Sequence, residues 1–170
     1  MSLHEMDSQQ HVRVSHVPAG GGPAYWVYSD LDTFKATGED TGDTLTVVET
    51  VILPHAGPPP HIHHRENEFF YVLEGEMEVL DRDRKFPVGP GDFVNMPQGT
   101  LHAFRNSGDT DARILLLFAP AGFEKYLTEA GEAVAEHNRN APTGETDLAD
   151  AHRIAPRHGL EFGDAPPGVW

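Results

Sequence analysis

From Ala24 to Phe118 the chain reads as short runs in which apolar and polar residues alternate, each run cut off by glycine, proline, asparagine or aspartate. A period of two is that of a strand with one buried face. Ala24 to Tyr28 is aromatic and β-favouring, and Phe34 sits in a second short segment. Leu45 to Leu53 sets Leu45, Val47, Val51 and Leu53 against Thr46, Val48, Thr50 and Ile52, a strand with at least one buried face. Phe69 to Leu73 is the next apolar run, with Phe70 and Val72 on the side of Glu68. Glu76 to Asp81 then opposes Met77 and Val79 to Glu76 and Glu78. Asp81 to Arg84 is a hairpin tip and Lys85 to Val88 pairs back. Phe93 to Met96, Leu101 to Arg105 and Ala112 to Phe118 complete the series, divided by the turn compositions Gly89 to Asp92, Pro97 to Gly99 and Asn106 to Asp111. Gly38 to Asp43 is also turn composition. Short strands at near-regular spacing predict an all-β sandwich or small barrel.

The period changes after Phe118. Phe123, Tyr126, Leu127, Ala130 and Val134 recur at helical spacing, which predicts a helix from Phe123 to His137. A second, shorter helix is expected over Asp147 to Ala155, with Leu148, Ala151 and Ile154 on one face. Leu160 to Trp170 is rich in proline and glycine. At the other end, residues 1–22 are polar and run into Ala19-Gly20-Gly21-Gly22-Pro23, with Val12 and Val14 alternating as in a short edge strand. The division expected is a flexible arm over 1–23, a β-barrel over 24–120 and a helical extension and tail over 121–170. The helices would pack on the outside of the barrel or against a partner subunit.

Composition narrows the partners. A chain of 170 residues is long enough for one domain with a real core, and 17 glycines and 14 prolines favour turns over long helices. The net charge of −15 excludes nucleic-acid phosphate and anionic membrane surface as attractive partners. No cysteine is present, so thiol catalysis and disulfides are excluded. The start of the chain lacks the apolar core of a signal peptide, and its longest strongly apolar run, Ile114 to Ala119, is too short to span a bilayer. A soluble cytoplasmic protein acting on a small molecule is expected.

Candidate chemistry is concentrated between Gly57 and Asn106. Alternation puts His61 and His63 on one side of a strand, with Ile62 on the other. Glu68 opens the following strand, and His102 begins a later one after the turn residues Gly91, Pro97 and Gly99. Imidazoles and a carboxylate converging on one side of a sheet suit a divalent transition metal. His64 should point away from them as a surface residue, Glu66 should be solvated, and His55 should be a loop residue. The same alternation places Phe70, Val72, Met77, Val79, Phe104 and one face of Phe93 to Met96 along the barrel lining, where Phe70, Val72, Met77 and Phe104 are the candidate substrate contacts. Tyr25, Trp26 and Tyr28 read as strand or interface residues and Arg105 as outward-facing. No inward Arg or Lys is evident to grip an anionic substrate.

His61-x-His63-x4-Glu68-x6-Gly75 and Gly91-x5-Pro97-x-Gly99-x2-His102-x3-Asn106 resemble the two sequence motifs of the cupin superfamily. Only 15 residues, Glu76 to Pro90, separate them, as in compact microbial members. One departure is His55, which stands where the family usually has glycine. The resemblance implies a jelly-roll barrel (a double-stranded β-helix) with one or two C-terminal helices packed outside, and a metal held by His61, His63, Glu68 and His102. It leaves open iron, manganese, nickel, cobalt, copper or zinc. More loosely, the texture of residues 24–165 is similar to single-domain bacterial cupins of the quercetinase-like group.

That narrower resemblance implies a metal-dependent dioxygenase acting on a small aromatic or enolic substrate, with Glu68 as both ligand and base for the substrate hydroxyl. Family habit implies a homodimer. Two other readings compete with the dioxygenase. One is a non-catalytic small-molecule-binding or regulatory cupin. The other is a redox-neutral isomerase or decarboxylase, against which stands the lack of a second inward acid or base in the sequence pattern.

Overall fold

A computed structural model of the chain describes residues 14–135 and 148–170. In chain order its elements are β1 (Ala24–Val27), β2 (Asp30–Ala36), the single turn α1 (Gly38–Thr41), β3 (Thr46–Ile52), β4 (His61–His63), β5 (Asn67–Glu74), β6 (Met77–Asp81), β7 (Arg84–Val88), β8 (Phe93–Met96), β9 (His102–Asn106) and β10 (Ala112–Ala119). They are followed by α2 (Glu124–Ala130), β11 (Glu132–Ala133), α3 (Leu148–Ile154), a 3-10 turn at Ala155–His158, and β12 (Leu160–Phe162). The strands make two antiparallel sheets. One has the order β11-β1-β2-β3-β10-β5-β8, the other β12-β4-β9-β6-β7. Their apolar faces enclose a single main core, and the result is a jelly-roll β-barrel carrying its helices outside.

The alternation in the sequence becomes alternation of burial. In β10, Ala112, Ile114, Leu116 and Phe118 are buried, and in β5 Glu68, Phe70 and Val72 face the same interior. In β3, where both faces carry aliphatic residues, Thr46, Val48, Thr50 and Ile52 point inward. Each large apolar side chain taken out of water here contributes roughly 1.5–3 kcal/mol. A smaller cluster of Ala24, Trp26 and Leu31, with Val51, Leu53 and Val134 against it, lies on the other face of β1 to β3.

Several expectations are revised. The helix beginning after Phe123 stops at Ala130, because the chain turns at Gly131 to add Glu132 and Ala133 as a strand beside β1. A side chain at Gly131 would meet Leu127 O at 2.6 Å and Val27 Cγ2 at 2.9 Å, so that turn needs a glycine. Val134 therefore packs on the outer cluster and not on a helix, and Ala135 is exposed coil; residues 136 and 137 of that predicted helix lie outside the described residues. In α3 Ala151 and Ile154 are buried but Leu148 is exposed; Asp147 lies outside the described residues. Val14 is exposed coil with no strand partner, and Val12 falls outside the described residues. The proline-rich tail is not all loop, since Leu160–Phe162 pairs with His61–His63 as an edge strand of the second sheet.

Candidate metal centre

Three histidines come from one sheet and a carboxylate from the other. β4 and β9 pair antiparallel with His61 directly opposite His102, so the two rings stand side by side with centroids 4.5 Å apart. His63, two residues along β4, shares their face. Glu68 enters from β5, opposite Met96 of β8 and Phe118 of β10. Its Oε2 lies 3.6 Å from His61 Nε2, 3.1 Å from His63 Nε2 and 2.8 Å from His102 Nε2. All four side chains are buried, and one ligand atom from each falls within 4.8 Å of the others. Around a cation with bonds of about 2.1 Å, neighbouring ligand atoms lie about 3 Å apart and opposite ones about 4.2 Å, so the arrangement is already that of a coordination sphere.

Outer partners fix which nitrogen faces the centre. His61 Nδ1 is 2.8 Å from Pro59 O, and His102 Nδ1 is 2.8 Å from Thr100 O. Both nitrogens donate to those carbonyls, which leaves each Nε2 as a lone pair turned inward. His63 Nδ1 is 3.3 Å from Glu66 Oε2. The expectation of a solvated Glu66 is therefore wrong: it is 3 % exposed. Strand parity fails here because β4 ends at His63 and the chain bends before β5 begins at Asn67. His63 Nε2 is buried and makes no hydrogen bond, although Glu68 Oε2 is close by. An orphaned lone pair aimed at a carboxylate and two further lone pairs fits a cation.

The electrostatics ask for the same positive charge. Burial lowers the pKa of His61 to about 4, keeping it neutral. Burial also works against charge on His63, but Glu68 and Glu66 outweigh it and lift that pKa to about 9. For Glu68, burial pushes upward and the histidines, led by His63, overcome it and hold the carboxyl well below its ordinary range. A divalent ion would replace the proton drawn to His63.

The surroundings separate the remaining candidates. His64 is exposed and pairs with Glu161 at 2.7 Å, and His55 sits in an exposed loop 3.1 Å from Asp109. Arg105 faces outward to Glu78 and stacks over Trp170. Of the four candidate substrate contacts, Phe104 borders the cavity beside the ligand cluster. Phe70, Val72 and Met77 do not; they are fully buried and fill the barrel interior with one another. The cavity wall is built instead by Phe118, Phe123, Tyr126 and Leu127, by Leu160 and Phe162 of the C-terminal strand, and by Tyr28, Asp30, Asp32 and Thr50. The cavity is narrow, leaving about 40 Å³ to the centre of a water-sized molecule.

None of these wall residues was among the expected substrate contacts, and three of them change the chemistry of the site. Tyr28 is a wall residue, not simply a strand residue, because it has a positive φ of 57° just beyond β1 and its hydroxyl meets that of Tyr126. Asp30 and Asp32 are buried on the inner face of β2, so the interior does hold further acids. The sequence signal was the parity Asp30, Asp32, Phe34, an inward-facing set whose only apolar member is the last. Among the described residues no Arg or Lys lines the cavity.

Comparison with known proteins agrees with this geometry. The family pattern described as Cupin domain matches residues 48–118, which contain all four ligands. Protein SchB of Streptomyces halstedii is 34% identical over 94 residues, covering 55% of this chain and 67% of that protein. The chain belongs to the cupin superfamily. Quercetin 2,3-dioxygenase of Bacillus subtilis (strain 168) is 30% identical to this cupin over 77 residues, 45% of this chain. That match spans only 23% of the Bacillus protein's own length. Among solved structures, the polyketide cyclase RemF from Streptomyces resistomycificus superposes with a TM-score of 0.57 at 20% identity, covering 81% of this chain and 94% of that one. This last likeness is one of fold, and its extent takes in part of the C-terminal extension.

Proposed function

We propose that this cupin is a metal-dependent enzyme acting on a small, flat enol or phenol, and that its reaction is a dioxygenation of the quercetinase type. When bound by His61, His63, Glu68 and His102, a divalent transition metal supplies a Lewis acid with open positions. The observation carrying the reading is that Glu68 is the one carboxylate whose oxygen reaches all three imidazoles. A base held that close to the ion can take the proton of a hydroxyl that arrives there. The aromatic wall without cations supports a neutral ring over a sugar phosphate. The partial match to a quercetin dioxygenase supports oxygen chemistry.

A redox-neutral reaction, an isomerisation or ring closure, is the second reading, and Asp30 and Asp32 favour it. Proton transfer at two ends of a substrate needs acids beyond Glu68, and the cavity holds them. The test incubates protein loaded in turn with iron, manganese, nickel, cobalt, copper and zinc with flavonols and catechols while dissolved oxygen and product mass are followed. Oxygen uptake with both oxygen atoms recovered in the products, carbon monoxide being released from a flavonol and nothing from a catechol, supports dioxygenation. An isomeric product without uptake favours the second reading, and binding with no conversion under any metal favours a non-catalytic cupin. Glu68→Gln should abolish turnover while weakening substrate binding less.

A homodimer belongs to the same proposal. Tyr71, Leu73 and Phe93 are exposed on the outer face of β5 and the edge strand β8, where Phe69 and Phe93 stack. Light scattering of the purified protein reads the assembly.

A further inference from the structure

Asp30 and Asp32 line the cavity from the inner face of β2. Both residues are at most 5 % exposed. Thr50 Oγ1, on the paired strand β3, donates to Asp32 Oδ1 at 2.6 Å. Asp30 Oδ1 is buried with no hydrogen-bond partner. The other titratable groups lining the cavity are Tyr28, Tyr126, Glu68, His61 and His63, and no lysine or arginine is among them.

Two buried carboxyls two residues apart on one strand, with no cation in the lining, cannot both be ionised at little cost. Burial lifts Asp32 to about 7, and burial together with Asp32 lifts Asp30 well above the usual range. At neutral pH the pair thus retains at least one O–H, a donor in need of an acceptor. An unpartnered buried carboxyl oxygen is costly in a folded protein, and the cavity is where its partner would enter. Barrel stability does not call for such a pair, since aliphatic side chains at positions 30 and 32 would pack beside Val48 and Ile52 without that cost.

We propose that Asp30 and Asp32 form a second binding subsite, a carboxyl pair on the inner face of β2 that hydrogen-bonds a carbonyl oxygen of the substrate. Resting on the reading above, in which a hydroxyl faces Glu68, it makes the substrate class a small hydroxy-carbonyl compound. An enol or phenol with one oxygen would leave the pair unanswered.

The test compares 4-hydroxyacetophenone with 4-ethylphenol, which share shape and phenol and differ in the carbonyl. Binding to metal-loaded full-length protein is measured by calorimetry between about pH 6 and pH 9. Wild type should bind the ketone about tenfold tighter at pH 6, and the preference should fade as the pair ionises. Asp32→Leu and Asp30→Leu should reduce the ratio to about one at pH 6, where both phenols are neutral. Asp32→Asn, whose amide donor does not ionise, should keep it at pH 9. Equal affinities in wild type at pH 6, or an unchanged ratio in both leucine variants, would overturn the subsite. Metal dependence of 4-ethylphenol binding tests the hydroxyl contact separately. A ketone preference that survives without metal keeps the subsite and removes the metal-bound hydroxyl.

Discussion

Glu66 Oε2 lies 3.3 Å from Nδ1 of His63, on the side of the ring that faces away from Glu68. Both residues are buried, so the contact is shielded from water and salt. It does for His63 what the Pro59 and Thr100 carbonyls do for His61 and His102: it sets the tautomer and stops the ring from turning. Glu66→Ala should weaken metal binding by about 10–100-fold, measured by competition with a chromophoric chelator. Glu161→Ala, which removes the surface partner of His64, should leave the affinity unchanged. Equal losses in the two variants would show that Glu66 does not act through His63.

Removing the metal should cost stability without dismantling the barrel. Binding restricted to the folded state adds about 2.7 kcal/mol when free ligand is at a hundred times its dissociation constant. Chelator-treated protein should therefore melt several degrees lower, with its far-ultraviolet dichroism retained. His102→Ala should melt at one temperature with or without metal, and its bound metal per chain should fall close to zero.

Asp32 gives stability a pH slope of known sign. Its carboxyl sits at about 7 in the fold because of burial, against about 3.9 in an unfolded chain. Between those values the folded chain holds a proton the unfolded chain has lost, so this group costs more stability as pH rises from about 4 to about 7, then levels off. His61, lowered to about 4 by burial, acts oppositely, its contribution being lost as pH falls from about 6.5 through 4. Asp32→Asn removes only the first slope and keeps an acceptor for Thr50. In metal-free protein the variant should gain on wild type as pH climbs from 5 to 8, by on the order of 2–4 kcal/mol. Thermal melts across that range measure it, and a flat difference would contradict the buried-acid assignment.

Gly57 begins the proline run into β4 with φ at 155°, and an added Cβ would fall 2.2 Å from Phe104 O and 2.8 Å from Arg105 Cα. Backbone cannot yield as a flexible side chain can. Gly57→Ala should destabilise the protein by about 1–3 kcal/mol and weaken metal binding, because the shifted loop carries Pro59, the partner of His61 Nδ1. Gly89→Ala, where nothing lies within 4 Å, serves as the control.

The barrel and the cluster of His61, His63, Glu68 and His102 were legible because both rest on local rules. Period-two alternation reports which side of a strand is buried, and His61, His63 and His102 obey it inside hydrogen-bonded strands. Glu66 was misread where the rule has no force, in the bend between β4 and β5. Phe70, Val72 and Met77 were placed correctly on the inner face, yet an inner face does not distinguish filled core from open cavity; that depends on which elements meet at the mouth. Those elements are distant in sequence: β2 brings Asp30 and Asp32, α2 brings Tyr126, and β12 brings Phe162. The early end of the helix after Phe123 likewise comes from the contact of Gly131 with Tyr25 and Val27, more than a hundred residues earlier.

Pairing of Leu160–Phe162 with His61–His63 has a temporal consequence. The strand bearing two of the imidazoles is three residues long, too short to hold its line alone, and one of its neighbours is made about a hundred residues later. During synthesis every ligand emerges well before the rail that steadies two of them. That strand therefore gains its second neighbour only once the tail has docked.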